Sequence, residues 1–463
     1  MLVPLSWLKD FVDIDLEPKE LEKKLFDCGF EVEECWEVGK DISNVVVGQV
    51  ETCEPIPDTH IHVCQVNAGE HGTFQVCCGA DNVQAGGKYP LALVGATVIE
   101  TERDHVTVIG VATIKKGKLR GYDSEGMLCS GVELGVSEDM YPGAGYNGLL
   151  VFPEDTEVGA DVKPILGLDD WIFDVSITAN RPDCQSIYGL AREVAAALDK
   201  PLKEIDLSYT ETEVENEGFS VTVEDPDLCP RYIGHYVYDV KLSESPLWMK
   251  RRLVMVGNNS INNIVDITNY IMRELGQPMH AFDGNFLEGN KIVVRRAKAG
   301  EKIVTLDENE FELGTDNLVI CDGVKPVALA GIMGGLDSEI VEDTTTLTLE
   351  SATFNAASIR KSAVRLAHRT DASARYEKSL DPEMTTVAIA RFMKLLSEID
   401  PGVKVVSALT DEYAFHYPHI ALDFDKDFVD KYTGIEISDD HILNTLTSLG
   451  FGITQDGANF HVD

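Results

Sequence analysis

The hydrophobic period of this chain changes twice, and those changes constrain the fold more than any other feature. In residues 1–38, Pro18 suits a first helical position, Leu21, Leu25 and Phe26 fall on one face, and Gly29 suits a C-terminal cap, which predicts a helix. From Asn44 the apolar residues come in short β-type runs: Val45–Val47, His62–Val66, Phe74–Cys77, Leu91–Val94 and Val106–Ile114, separated by Gly- or Asn-rich turns. Five short strands in about 110 residues, with no long helix among them, predict a small antiparallel barrel of the OB type. The helical period returns at Ser186, expected to cap a helix over Ile187–Leu198 whose Ala-rich stretch Ala191–Ala197 has high helix propensity. A β-unit therefore stands between helical segments.

The rest of the chain alternates strands and helices. Residues 206–227 carry eight acidic residues and no basic one, which reads as a solvated linker running into the first strand of a new domain. Ser245-Pro246 is expected to open a helix through Met255, Ser260 one through Leu275, and Asp381-Pro382 one through Ile399. Strands are expected at Lys291–Arg296, Asn317–Cys321, Val327–Ala330 and Thr346–Glu350. A last piece from about residue 401 ends on a helix, Asp439–Leu449, capped by Ser438 and closed by Gly450. The fold class expected is multidomain α+β, and 463 residues suffice for three or four domains at roughly 100–200 residues each.

Charge narrows the function. With 79 acidic against 39 basic residues the formal charge is −40, which excludes a protein that coats nucleic acid with its whole surface, because phosphate affinity comes from Lys and Arg. Basic clusters are local. Lys115, Lys116, Lys118 and Arg120 fall within six residues of the barrel, as a phosphate-contacting loop or a solvated hairpin. Residues 356–380 hold six bases against Asp371 and Glu377. The ten cysteines form no CxxC pair and are too sparse for a disulfide framework, so reduced thiols are expected. His60-x-His62 and His416-x-x-His419 lack a third ligand, and no metal is expected. No run approaches ~18 apolar residues and the start lacks a secretory pattern, so the expectation is a cytoplasmic protein with no membrane contact. No GxxxxGK[ST] phosphate loop or class II ATP motif is present.

Several long strings then occur in order. Cys77-Cys-Gly-Ala-Asp-Asn82, Leu119-Arg-Gly-Tyr-Asp-Ser-Glu-Gly-Met-Leu-Cys-Ser130, Ile177-Thr-Ala-Asn-Arg-Pro-Asp183 and Tyr188-Gly-Leu-Ala-Arg-Glu-Val-Ala-Ala196 come first. Asp266-Ile-Thr-Asn-Tyr270, Glu274-Leu-Gly-Gln-Pro-Met-His-Ala-Phe-Asp283, Ala328-Leu-Ala-Gly-Ile-Met-Gly-Gly335, Leu349-Glu-Ser-Ala-Thr-Phe354, Arg369-Thr-Asp-Ala-Ser373 and Arg375-Tyr-Glu377 follow. From Trp7 to its end the chain resembles the β-subunits of bacterial phenylalanyl-tRNA synthetases. The resemblance implies a split N-terminal domain over 1–38 and 152–205, an OB-fold tRNA-binding domain over 39–151, a B3/B4-type editing domain over 206–400 and an incomplete B5-type domain over 401–463. The stretch Ile56-Pro-Asp-Thr-His-Ile61 departs from the family's His-Pro-x-Ala/Ser-Asp-x-Leu signature. The family's magnesium carboxylates, catalytic-like core and anticodon-binding domain are expected beyond Asp463, in a chain truncated before them.

The same resemblance implies that aminoacylation, with ATP and Mg2+, belongs to an α-subunit partner in an α2β2 enzyme acting on tRNA(Phe), and that this chain binds neither cofactor. Its own chemistry would be editing, the hydrolysis of tyrosine wrongly esterified to that tRNA. An apolar synthetic pocket rejects an added hydroxyl only weakly, whereas a site that requires the hydroxyl discriminates in the opposite direction, by about 1–3 kcal/mol for each polar group left unpaired. The resemblance makes Glu350 the acceptor for the phenolic hydroxyl and His280 the group that positions substrate or water. Asn269, Gly331, Gly334, Thr370 and Ala372 match pocket positions. Read as residues alone, a lone His is more often structural, a glycine cluster more often a tight turn. No Ser-His-Asp or Cys-His order is evident, so a positioned water, helped by backbone groups and the tRNA's own hydroxyl, is the expected nucleophile. The competing readings are a non-catalytic tRNA-binding scaffold subunit and a free-standing trans-editing protein.

Overall fold

A computed structural model describes residues 1–102, 107–211, 218–405, 409–414 and 416–463. Val106 and residues 212–217 of the acidic linker, both part of the expectations above, lie outside the described residues. The chain divides into two compact units, one of residues 34–173 with 250–259 and one of 1–33, 174–249 and 260–463.

The first unit is built on one antiparallel sheet. Its strands are β1 (Ser43–Pro55), β2 (His62–Asn67), β3 (Thr73–Cys78), β4 (Lys88–Thr101), β5 (Val108–Thr113) and β6 (Gly126–Leu128). The order is β6-β4-β1-β2-β3, with β5 also pairing β4. Glu125 N–H donates to the Gln75 carbonyl at 2.8 Å, which brings the β6 end of the sheet round to β3. Among the described residues this sheet has six strands where five were expected, because three-residue β6 is too short to show a period. β1 and β4 are also far longer than the apolar runs inside them, and irregularities at Val50/Thr52 and Ser43/Val45 bend β1.

Val45-Val46-Val47 is apolar without alternation because both faces of β1 are covered. Val46 joins Val50, Cys64, Val66, Val76 and Leu91 in one core, while Val45 and Val47 join Ala92, Val98 and Leu134 in another. Phe152, Val162, Leu166 and Leu168 complete the second core, so residues 152–173 pack with the sheet. A separate hairpin pairs Gly117–Leu119 with Tyr122–Ser124. It turns on Arg120 (φ 53°) and Gly121 (φ 91°), both left-handed as a two-residue hairpin turn requires.

In the second unit, Pro18 does open the first long helix, and Gly29 at φ 85° closes it. Leu21 and Leu25 are buried, but Phe26 is 49% exposed and does not share their face. Ser186 caps Ile187–Leu198 by accepting from Gly189 N–H at 3.0 Å.

Among the strands and helices that follow are β7 (Ser220–Val223), β8 (Arg231–Tyr238), α1 (Asn263–Leu275), β9 (Met279–Asp283), β10 (Lys291–Arg296), β11 (Leu318–Cys321), β12 (Pro326–Leu329), β13 (Met333–Gly334), β14 (Thr346–Thr353), α2 (Asp371–Tyr376) and α3 (Met384–Ile399). Asn262, not Ser260, caps α1: its side chain accepts from Ile264 and Val265 N–H, while the Ser260 hydroxyl donates to Asp266. Several cap-competent residues in a row made that start ambiguous from sequence.

One sheet runs β9-β14-β8, with Lys404–Val405 and Thr410–Tyr413 both on the outer edge of β8; the other runs β7-β10-β11-β12-β13. A shared core lies between the two sheets, with Tyr232, Tyr236, Phe282 and Ala352 from one and Val221, Ile292, Val294, Ile320 and Leu329 from the other. The alternate residues of the first sheet, among them Ile233, Val237, Leu347 and Leu349, take its opposite face, against α3. The last piece pairs Leu422–Asp425 and Ile453–Asp456 with Asn459–Val462, and Ser438 caps its helix Asp439–Ser448. Among the described residues, no helix is long and apolar enough to cross a membrane.

Candidate functional site

Glu350 lies in the middle of β14, and its register partners are Gly234 on β8 and His280 on β9. Residues opposite each other across antiparallel strands share a face, so Glu350 and His280 point the same way, together with Tyr232 and Ala352 two positions on and Phe282. That face meets the core between the sheets. Glu350 is 5% exposed, and its Oε2 accepts from the Tyr232 hydroxyl at 3.0 Å. Burial pushes its pKa up to about 8, with the Tyr232 hydrogen bond opposing the shift. Near neutral pH the carboxyl is therefore mostly protonated, able to donate as well as accept.

The His280 ring sets its edge on Phe282, centroids 4.5 Å apart, and its Nε2 is shielded with no hydrogen-bond partner. Burial lowers its pKa to about 4, which keeps the imidazole neutral. Gly334 makes room for that ring: a Cβ there would stand 2.6 Å from His280 Nε2. The segment leading into β9 is held by Gln277, whose side-chain amide donates to the Ala352 carbonyl at 2.9 Å, and by the Tyr376 hydroxyl, which reaches the carbonyls of Ala352 and Pro278 at 3.1 and 3.2 Å. Two buried polar side chains, through three hydrogen bonds, thus fix where β9 begins.

The other expected residues arrive through the 331–334 turn and α2. Gly331 has φ 66°, and a Cβ there would come within 3.0 Å of Phe354 and Tyr376. Thr370 caps α2 in a capping box with Ser373 and donates to the Ile332 carbonyl at 2.8 Å, tying the helix to the turn. Ala372, half-buried, packs against the core that holds Tyr232, Phe354 and Tyr376. Asn269 is on α1, half-buried, one turn before Arg273, which pairs with Asp371 at 2.6 Å. The described residues give no hydrogen bond between Asn269 and Glu350 or His280. Direct juxtaposition therefore covers Glu350, His280 and Gly334, with Gly331, Thr370 and Ala372 joined through the turn. Sequence reasoning missed Tyr232 and Tyr376. Tyr376 stood in a noted string, Arg375-Tyr-Glu377, whereas Tyr232 carried no signal beyond its place in a β-type run.

On the hairpin, Lys115, Lys116, Lys118 and Arg120 are all exposed, but Lys116 pairs with Glu125 at 2.8 Å and Lys118 with Asp123 at 3.2 Å. In 356–380, Arg365 pairs with Asp316 and Arg369 with Glu377, so Glu377 serves Arg369 and not Arg375. Arg375 is buried, and its Nη1 donates to the Asp371 carbonyl at 3.1 Å. Asp183, Cys184 and Glu193 have ligand atoms close enough to hold a metal. The Arg181 guanidinium binds both carboxylates, however, and a divalent cation does not fit beside it.

Residues 228–401 match the family model described as B3/4 domain, and residues 45–161 match the one described as Putative tRNA binding domain. The chain is 42% identical over 452 residues to the phenylalanine–tRNA ligase beta subunit of Clostridium acetobutylicum, covering 97% of this chain and 55% of that protein. To the same subunit of Syntrophus aciditrophicus it is 46% identical over 415 residues, 89% of this chain and 49% of that one. To that of Clostridium tetani it is 41% identical over 464 residues, 100% and 57%. The chain spans about half the length of the curated relatives it matches. Aligned along nearly its whole length at these identities, it belongs to the family of phenylalanine–tRNA ligase β-subunits.

Proposed function

We propose that this chain contributes tRNA binding and post-transfer editing to a phenylalanine–tRNA ligase, hydrolysing tyrosine wrongly esterified to tRNA(Phe). Aminoacylation, with ATP and Mg2+, then falls to an α-subunit partner in a cytoplasmic α2β2 enzyme. The first unit serves as an OB-type tRNA-binding barrel, residues 206–400 as the editing module and 401–463 as part of a B5-type domain. The observation that carries the reading is Glu350 on the buried face of β14, with one oxygen engaged by Tyr232 and with His280 directly opposite.

A tyrosyl ring offered to this face meets a carboxyl able to pair with its hydroxyl. A phenylalanyl ring leaves the carboxyl's other oxygen unpaired, a difference of about 1–3 kcal/mol. His280, with its pKa near 4, is too weak a base to take a proton at neutrality and instead positions the ester or the water. The attacking water adds to the ester carbonyl, and the proton that the leaving ribose oxygen needs comes from the water or from the neighbouring tRNA hydroxyl. Lys115, Lys116, Lys118 and Arg120 meet phosphates of the same tRNA.

The test is release of tyrosine from tyrosyl-tRNA(Phe) by the wild-type chain and by Glu350→Ala and His280→Ala. The wild type should hydrolyse tyrosyl-tRNA and spare phenylalanyl-tRNA, Glu350→Ala should lose that preference, and His280→Ala should slow release. Equal, slow release by all three would favour the scaffold reading instead.

A further inference from the structure

Cys53 on β1 and Cys64 on β2 are register partners, with Sγ atoms 3.8 Å apart. The ladder defines their geometry. Ile56 N–H donates to the Ile61 carbonyl at 2.8 Å, which closes the turn with a hydrogen-bonded pair. Counting back with the antiparallel alternation, 55/62 is a non-hydrogen-bonded pair, 54/63 a hydrogen-bonded one, and 53/64 non-hydrogen-bonded again. Pro55, which has no N–H, sits where none is needed. Non-hydrogen-bonded pairs hold their Cα atoms about 4.5 Å apart, inside the range of about 4.4–6.8 Å that a disulfide spans, so rotation about the side chains brings sulfur to sulfur without moving backbone. The two thiols also differ in access: Cys53 is half-buried, while Cys64 is fully buried behind it in the barrel core.

We propose that Cys53 and Cys64 form a reversible dithiol–disulfide pair, with Cys53 the peroxide-reactive thiol and Cys64 the resolving one. The Cys53 thiolate attacks one oxygen of hydrogen peroxide, the O–O bond breaks, and the hydroxide released is protonated to water, leaving a sulfenic acid. The Cys64 sulfur then attacks the Cys53 sulfur, the S–O bond breaks, and hydroxide departs with the Cys64 proton as a second water. Two thiols lose two electrons and two protons, and one peroxide is reduced to two waters. A thiol reductant reverses the change. The crosslink closes the 53–64 loop, which contains the 56–61 turn where this chain departs from its family's signature. Cys64 has its ionisation disfavoured by burial and by Cys53, so it waits for the sulfenic acid and does not compete for oxidant.

The experiment is peptide-level mass spectrometry of the whole chain after treatment with hydrogen peroxide, with and without later reduction by dithiothreitol. A Cys53–Cys64 linked peptide, two mass units lighter than the sum of its thiol forms and abolished by dithiothreitol, is the expected result. In Cys64→Ser the same treatment should leave Cys53 as a sulfenic acid that dimedone traps. Recovery of both cysteines as free thiols, linkage of either to Cys77 or Cys78, or irreversible oxidation of Cys53 in the wild type would each overturn the assignment. The wild-type map stands on its own should the variant fail to fold.

Discussion

At the scale of single residues, Glu350 and His235 occupy opposite faces of one sheet and both oppose folding as charged groups. Glu350, whose pKa rises to about 8, binds a proton in the folded state between pH 4.5 and 8 that the unfolded chain has released. Its contribution is favourable below pH 4.5 and is lost as pH rises towards 8. Glu350→Gln keeps an acceptor for Tyr232 and has no charge to bury, so above pH 8 it should be more stable than wild type by a few kcal/mol, roughly. Denaturant titrations at pH 5, 7 and 8.5 check this: the gap should widen with pH, and a constant gap would mean that ionisation of Glu350 is not the cause.

His235 is fully buried on β8, with neither ring nitrogen bonded, and burial lowers its pKa to about 4. Protonation of the unfolded chain therefore erodes stability as pH falls from about 6.5 to about 4. His235→Leu removes two unpaired polar atoms of that face and should stabilise the protein by about 1–3 kcal/mol, most at acid pH. Thermal melts at pH 5 and pH 7.5 decide it, and a variant no more stable than wild type at pH 5 would count against it.

Among elements, the link between α1 and α3 is the strongest test of how the helix layer is held. Arg391 grips Glu274 through two hydrogen bonds, at 2.7 and 2.9 Å, and Glu274 is 1% exposed. Glu274→Ala leaves a largely desolvated guanidinium without its carboxylate partner, keeping only the Asp206 carbonyl, and should cost about 3–5 kcal/mol. The double change Glu274→Leu with Arg391→Met should recover most of that loss in a chemical-denaturation series. If the single and double variants are equally unstable, packing and not charge governs the site.

The elements also show where sequence reading works. Caps and stops at Pro18, Ser186, Gly29 and Ser438 were legible because they act within one turn of backbone, and Lys291–Arg296 was legible because its alternation meets a one-sided core. The start of α1 and the full length of β1, β4 and β14 were not. Strand length depends on which neighbour supplies hydrogen bonds, and Ser351 to Thr353 extend β14 because they pair with Ile233 to Arg231 of β8, while β9 reaches only as far as Ser351.

For the whole molecule, a charge of −40 means that any tRNA contact works against a repulsive field and must depend on local cations. Of the four on the hairpin, Lys116 and Lys118 already have acidic partners, whereas Lys115 and Arg120 form no ion pair among the described residues. Replacing Lys115 and Arg120 by alanine should therefore lower the slope of log affinity against log salt for tRNA by about 1.4–1.8, at about 0.7–0.9 per phosphate contact. Replacing Lys116 and Lys118 should change it less. Filter binding across a salt series measures both, and equal changes for the two pairs would show that the local ion pairs do not compete with phosphate.

By itself the sequence determined the order of helical and β-type segments, their caps and the strings that mark the family, because these reside in neighbouring residues and follow backbone chemistry within a turn or two. Tertiary structure decided what those residues face. Glu350, His280, Tyr232 and Gly334 are separated by up to 118 positions in the chain and meet only through the registers of β8, β9 and β14 and the packing of β13 against them. Burial, and with it the protonation of Glu350 and the neutrality of His280, depends on how far water is excluded. Exclusion belongs to the packed sheets, and no single strand carries it.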